Sequence, residues 1–238
     1  MRRDGHRDGL AREEVTGIWH PEAWVVLGPD WKSGYVGIRE RDWRGAVLHS
    51  MEGPLTVALG ILLGILPRSW TFSVPKFGES FYQHYPVYKV CWANGGPGAN
   101  RRFFSIEHEG VAGEPLTEHQ IECDVSILTW AFDNDVLPWP GFILEDTIWL
   151  HSQMTRFGSA PTACPSNRVP VEEVIDMAML FERILARLGA LETGNGWQQG
   201  AIDQYKQDIA DIQAVNGWQQ GALDDHEKRI KKLEPTAS

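Results

Sequence analysis

Short blocks of apolar and polar residues mark separate elements along the first 170 positions. Residues 46–50 (AVLHS) run apolar and close on His and Ser, which predicts a buried strand. The apolar run at 54–66 predicts a helix, and Gly60 and Gly64 among Leu and Ile suit one that is buried. Residues 69–74 (SWTFSV) alternate, and residues 103–109 (FFSIEHE) run apolar into charge; both predict strands. WANGGPGAN at 92–100 has the Gly and Asn content of a loop. A helix is predicted over 117–134, with Thr117 as N-cap and Gln120 three residues on in a capping-box arrangement. Residues 144–154 predict a further helix. Strands interleaved with long helices give an α/β (α+β) fold, a central mixed β-sheet flanked by helices.

The pattern changes near Val171. Steps of alternate threes and fours connect Phe181, Ile184, Leu188, Leu191, Asn195 and Gln198, and the register continues to Leu233 over about eight heptads. NGWQQGAID at 195–203 recurs as NGWQQGALD at 216–224, three heptads later. Asn and Gln fall on core positions in both copies, where polar residues set register and chain number in a coiled coil. This predicts a C-terminal helical coiled coil and a homo-oligomer. Gly194, Gly196, Gly200, Gly217 and Gly221 oppose it, since each costs a helix interior about 1 kcal/mol. The alternative is a small repeat module with Trp197 and Trp218 as binding aromatics. The organisation that follows is a loose polar arm at 1–17, a globular domain at 18–170 and a helical segment at 171–238.

Composition narrows the class of protein. A net charge of -10 argues against a nucleic-acid partner, which would call for a basic face. The most apolar run, 55–66, is too short to span a bilayer, so no membrane insertion is expected. The charged N-terminus is followed by no apolar stretch of the kind a signal peptide needs, which predicts synthesis and folding in the cytoplasm. Nine of the eleven tryptophans lie before residue 150, and tryptophan serves both core packing and the binding of sugar rings. Three cysteines, Cys91, Cys123 and Cys164, make no disulfide framework.

One of those cysteines has candidate partners. His49 ends the strand at 46–50, His151 falls at the end of the helix predicted at 144–154, and Cys164 sits between two prolines in PTACPS. Two imidazoles and a thiolate would leave a fourth tetrahedral position open, the pattern of a catalytic Zn2+ rather than a structural one. Glu107, closing FFSIE, is the candidate general base. The other histidines read as packed or surface residues.

In this order the stretches AVLHSMEG, SWTFSVPKFGESFYQHYP, CWANGGPGANRRFFSIEHEG and HSQMTRFGSAPTACPS resemble the zinc-dependent N-acetylmuramoyl-L-alanine amidases, the type 2 amidase and peptidoglycan-recognition family found in many phage endolysins. The resemblance spans about 45–170. It implies zinc held by His49, His151 and Cys164, Glu107 as acid/base residue, and a structural Glu109. Trp70 falls where a Tyr often stands beside the zinc, and Thr162 where many members carry an oxyanion-stabilising Lys. The interval from His151 to Cys164 is longer than usual, and Arg156 within it could supply the positive charge that Thr162 lacks.

The function implied is a peptidoglycan hydrolase of endolysin type. It would cut the amide between N-acetylmuramic acid and L-alanine, reaching the cell wall after release from a host cytoplasm. Two alternatives stand beside it: a peptidoglycan-binding recognition protein with little catalysis, and a virion-associated oligomer assembled through the C-terminal heptads.

Overall fold

A computed structural model describes residues 19–34, 44–137, 141–192 and Gln207. The chain divides into two compact units, Met1–Ile175 and Asp176–Ser238. In the first, six strands form one sheet in the order β1-β4-β3-β5-β2-β6. They are β1 (Trp24–Val25), β2 (Gly45–Ser50), β3 (Phe72–Val74), β4 (Tyr82–Gln83), β5 (Phe103–His108) and β6 (Ile148–Leu150). Every neighbouring pair is parallel except β3 and β4, which run antiparallel. The sheet is therefore mixed, as expected.

Side chains alternate across a strand, so each strand serves two layers. Phe104 and Ile106 of β5 face the same side as Phe72 of β3, whose ring meets Phe104 at 5.8 Å and Trp130 at 6.3 Å. Trp130 belongs to α3 (Glu118–Asp133), the long helix covering that face. Val47 of β2 and Phe103 of β5 point the other way and pack with Ala99, Trp149 and Met154. Burying each such aliphatic or aromatic side chain contributes about 1.5–3 kcal/mol. Ala99 lies in α2 (Pro97–Asn100), a single turn inside the stretch expected to be loop. On the same face as this cluster, α1 (Leu55–Leu63) buries Ala58 and Leu62 with Trp70, Tyr85 and Cys91.

The expected capping box opens α3. Thr117 Oγ1 accepts from the Gln120 backbone N–H at 3.2 Å, and Thr117 N–H donates in turn to Gln120 Oε1 at 3.1 Å. The helix expected at 144–154 is instead β6 followed by a 3-10 segment, His151–Phe157. The pairing of Ala46, Val47 and Leu48 with Ile148, Trp149 and Leu150 decides this, because the β2 edge offers ladder bonds that no helix there would satisfy. The strand at 69–74 is shorter than expected. Only Phe72–Val74 join the ladder, because Ser69 is engaged by Trp92 N and Lys32 O.

His84, expected to be a packed or a surface residue, is wholly buried in a chain of polar bonds. The Trp70 indole N–H donates to Ser73 Oγ at 2.7 Å, and Ser73 Oγ lies 2.8 Å from His84 Nε2. His84 Nδ1–H then donates to the Val26 carbonyl at 2.8 Å. Burial pulls its pKa down to about 4, outweighing that backbone bond. The unfolded ring takes up its proton near pH 6.5 while the folded ring stays neutral, so this stability is present above pH 6.5 and lost as pH falls towards 4. Lowering the pH over that window should cost up to about 3 kcal/mol by linkage. Denaturant midpoints should fall less steeply in His84→Gln than in the parent; equal slopes would rule out this origin.

The helix α4 (Val171–Glu192) begins in the first unit and carries Phe181, Ile184, Leu188 and Leu191 at heptad spacing. The 1–17 arm, the paired 21-residue repeats and Trp197 and Trp218 lie outside the described residues. No described helix is long and apolar enough to cross a membrane.

Candidate metal centre

Three elements bring the site together. β2 delivers His49, the turn leaving β6 delivers His151, and the loop after the 3-10 segment delivers Cys164. One ligand-capable atom from each lies within 4.8 Å of the other two. The Cys164 sulfur is 3.9 Å from His49 Nδ1, and the two imidazole rings stand 4.4 Å apart. The loops are tied to one another as well: Ser152 N donates to Cys164 O at 2.7 Å, and Cys164 N donates to Thr162 Oγ1 at 3.1 Å. Gly95 lies against this corner with a φ of +81, and a Cβ there would come within 3.3 Å of His151 Nε2.

The ring of His49 has one nitrogen committed. Its Nε2 lies 2.9 Å from Asn94 Oδ1, while Asn94 itself donates to the Phe103 carbonyl at 3.0 Å. With Nε2 donating to the amide oxygen, Nδ1 presents its lone pair towards Cys164 and His151. Second-shell bonds of this kind fix tautomer and ring orientation at metal sites. Burial pulls both imidazoles towards neutrality, His49 well below the usual histidine range and His151 to about 4. Neutral imidazole is the form that binds a metal. The Cys164 thiol is pushed up to about 12 by burial and by the nearby Glu107, so its proton leaves readily only for a cation.

Glu107 stands opposite His49 in the β2–β5 register, with Oε1 3.7 Å from His49 Nδ1. Its other oxygen, Oε2, is buried and finds no hydrogen-bond partner among the described residues. Burial raises the carboxyl pKa to about 7, against the opposing pull of His108 and Arg68. A carboxyl poised near neutrality beside neutral imidazoles and a thiol suits proton transfer. One buried and one half-buried imidazole, a thiol and an orphaned carboxylate oxygen fit a borderline cation such as Zn2+ with one open position.

A cavity of about 510 Å³ opens over these groups. Trp70 and Thr162 both line it, with Trp92, Val57, Ile61 and Arg68. The Trp70 N–H is already spent on Ser73, leaving the indole ring as an apolar surface. Arg156 does not serve the cavity. Its guanidinium pairs with Glu145 at 2.6 Å and lies over the Trp149 ring. The cation that does line the cavity is Arg68, which the sequence reading passed over because it sits in a short connection between α1 and β3. Glu109 accepts from Leu55 N and Lys76 N, both at 2.9 Å, and so ties α1 and the β3 exit to β5.

Comparison with known proteins bears on the fold. No family model and no curated protein matches the chain. Among solved structures, the hydrolase AmiA of Staphylococcus aureus, solved with its ligand, superposes at a TM-score of 0.52 over 77% of this chain and 95% of its own, at 12% identity. In fold, this chain is similar to that hydrolase. The endolysin amidase LysCS of Clostridium intestinale matches at 0.47 and 19% identity, covering 66% of this chain and 95% of its own. An AmpD derivative matches at 0.49 and 17%, covering 68% and 97%. Besides Arg68, the sequence reading missed three groups: Asn94 behind His49, a His108–Asp124 pair beneath β5, and Arg168. A signal existed for His108, because it continues the core-facing positions Phe104 and Ile106 where an apolar residue belongs. Asn94 in a Gly-rich loop offered none.

Proposed function

We propose that the protein is a zinc-dependent peptidoglycan hydrolase of the type 2 amidase family, cutting the amide between N-acetylmuramic acid and L-alanine. The observation that carries this reading is the convergence of His49, His151 and Cys164 within 4.8 Å beside the unpartnered Glu107 oxygen. What zinc supplies when bound is Lewis acidity, towards an amide carbonyl and towards water. His49 and His151 enter as neutral rings, and Asn94 holds the first of them in its working orientation. Glu107 takes the proton of the attacking water at Oε2 and returns it to the leaving amine nitrogen. Its near-neutral pKa lets one group perform both steps. Trp92, half-buried at the cavity, offers an apolar ring face on which a sugar can lie, while Trp70, almost wholly buried, closes the cavity wall behind it. Thr162 has a hydroxyl to offer the oxyanion but no charge; Arg68, lining the same cavity, supplies the only cation there among the described residues. The C-terminal heptads are proposed to join copies of the chain, and the chain to act on the wall after release from a host cell.

The reaction is tested on purified cell walls by following new ends. Amide cleavage releases alanine amino groups without reducing sugars, and a chelator should stop it until zinc is returned. Reducing ends without amino ends, or clearing that ignores the chelator, would overturn the reading. Removing the bond behind His49 with Asn94→Ala should weaken zinc binding by about 10–100-fold, as read by competition with a chromogenic chelator.

A further inference from the structure

His108 and Asp124 are both wholly buried, on the far side of the sheet from the cavity. Asp124 belongs to α3, one turn after Gln120, and both point at strand ends. Gln120 Nε2 donates to the Val74 and Glu109 carbonyls, and both Asp124 oxygens lie within 2.9 Å of His108 Nε2. The other ring nitrogen, His108 Nδ1, is 2.6 Å from the carbonyl oxygen of His49. A carbonyl only accepts, so Nδ1 carries a proton whichever way the proton between Nε2 and Asp124 lies.

That carbonyl belongs to the peptide unit joining His49 to Ser50. The N–H of the same unit donates to the Cys164 sulfur at 3.2 Å. A peptide group is planar, so whatever sets the direction of its C=O sets the direction of its N–H. Arg168 closes the surroundings of this unit, its Nη1 donating to Ser50 Oγ at 2.8 Å and reaching the His108 carbonyl at 3.3 Å.

We propose that the Asp124–His108 pair is a positioning relay for the metal centre: it orients the His49–Ser50 peptide from behind, so that the N–H meets the Cys164 sulfur and His49 keeps its bearing. The relay runs from α3 through two side chains and one peptide plane to two of the three ligands. It rests on the zinc reading given above. A core this apolar has no packing need for a polar pair, and apolar residues of similar volume in its place are often as stable or more so.

The test measures zinc affinity and the cobalt-substituted spectrum of the full chain, with melting temperature alongside. Asp124→Ala leaves the His108 ring without its partner and should weaken zinc binding about tenfold, with a shift and weakening of the cobalt–thiolate absorption in the near ultraviolet. In Asp124→Asn the side-chain amide can donate to Nε2 while Nδ1–H still serves His49, so affinity should return to within about threefold of the parent. Leu128→Ala, one turn further along the same helix and also wholly buried, is the control for stability alone. It should lower the melting temperature and leave zinc affinity unchanged. The relay is overturned if Asp124→Ala binds zinc as the parent does, if Asn fails to rescue, or if Leu128→Ala weakens zinc equally. A parent protein that takes up no zinc removes the underlying reading and the relay together. A parent that binds zinc but does not cleave walls removes only the amidase assignment.

Discussion

Glu107→Gln is expected to lower wall hydrolysis by about 10²–10⁴-fold while leaving zinc content and melting temperature close to the parent. The amide is nearly isosteric with the carboxyl but cannot take a proton from water or return one to an amine. Two features separate this from general damage. Glu107 Oε2 has no partner in the described residues, so the substitution breaks no bond there. Burying the carboxylate is also unfavourable, as its raised pKa records, and a neutral amide relieves that cost. Released amino groups measure the rate and metal analysis measures the zinc. A Gln variant retaining a tenth or more of the activity would show that the proton is handled elsewhere.

Cys164→Ser should abolish both metal uptake and activity. The sulfur is the softest of the three donors, and a serine hydroxyl gives up its proton far less readily than a thiol. The fold should survive, because Ser50 N can still donate to a hydroxyl at that position and Cys164 is only partly buried. Zinc binding to the parent should raise its stability by about 4 kcal/mol when the free metal exceeds its dissociation constant a thousandfold. The Ser variant should show no such rise. The measurement is a pair of melting curves with and without zinc. An equal zinc-induced shift in both proteins would remove Cys164 from the ligand set.

These expectations rest on features that were unequally visible beforehand. β2, β5 and α3 were legible because each is a run with a single period and clear ends, and the α3 capping box is a contact of residues three apart. β6 was misread because residues 144–154 mix apolar residues at spacings that suit either period, and only pairing with β2 resolves them. Arg156 was the wrong cation for a related reason. Its distance along the chain from Cys164 is short, yet Glu145 and the Trp149 ring draw it away from the cavity. Arg68, remote from Cys164 in sequence, lines the cavity through the folding of the α1–β3 connection.

What the sequence by itself determined is the set of donors and their order: a strand ending in His49, a strand bearing Glu107, then His151 and a Pro-flanked Cys164. Local periodicity and residue chemistry suffice for that. Their meeting is a tertiary event, since His49 and Cys164 lie 115 residues apart and approach to 3.9 Å only because β5, β2 and β6 are neighbours in the sheet. The supporting groups belong wholly to that level. Asn94, His108, Asp124 and Arg168 acquire their roles from bonds between distant elements, and a hydrogen bond depends on position and direction, which no pattern along the chain encodes.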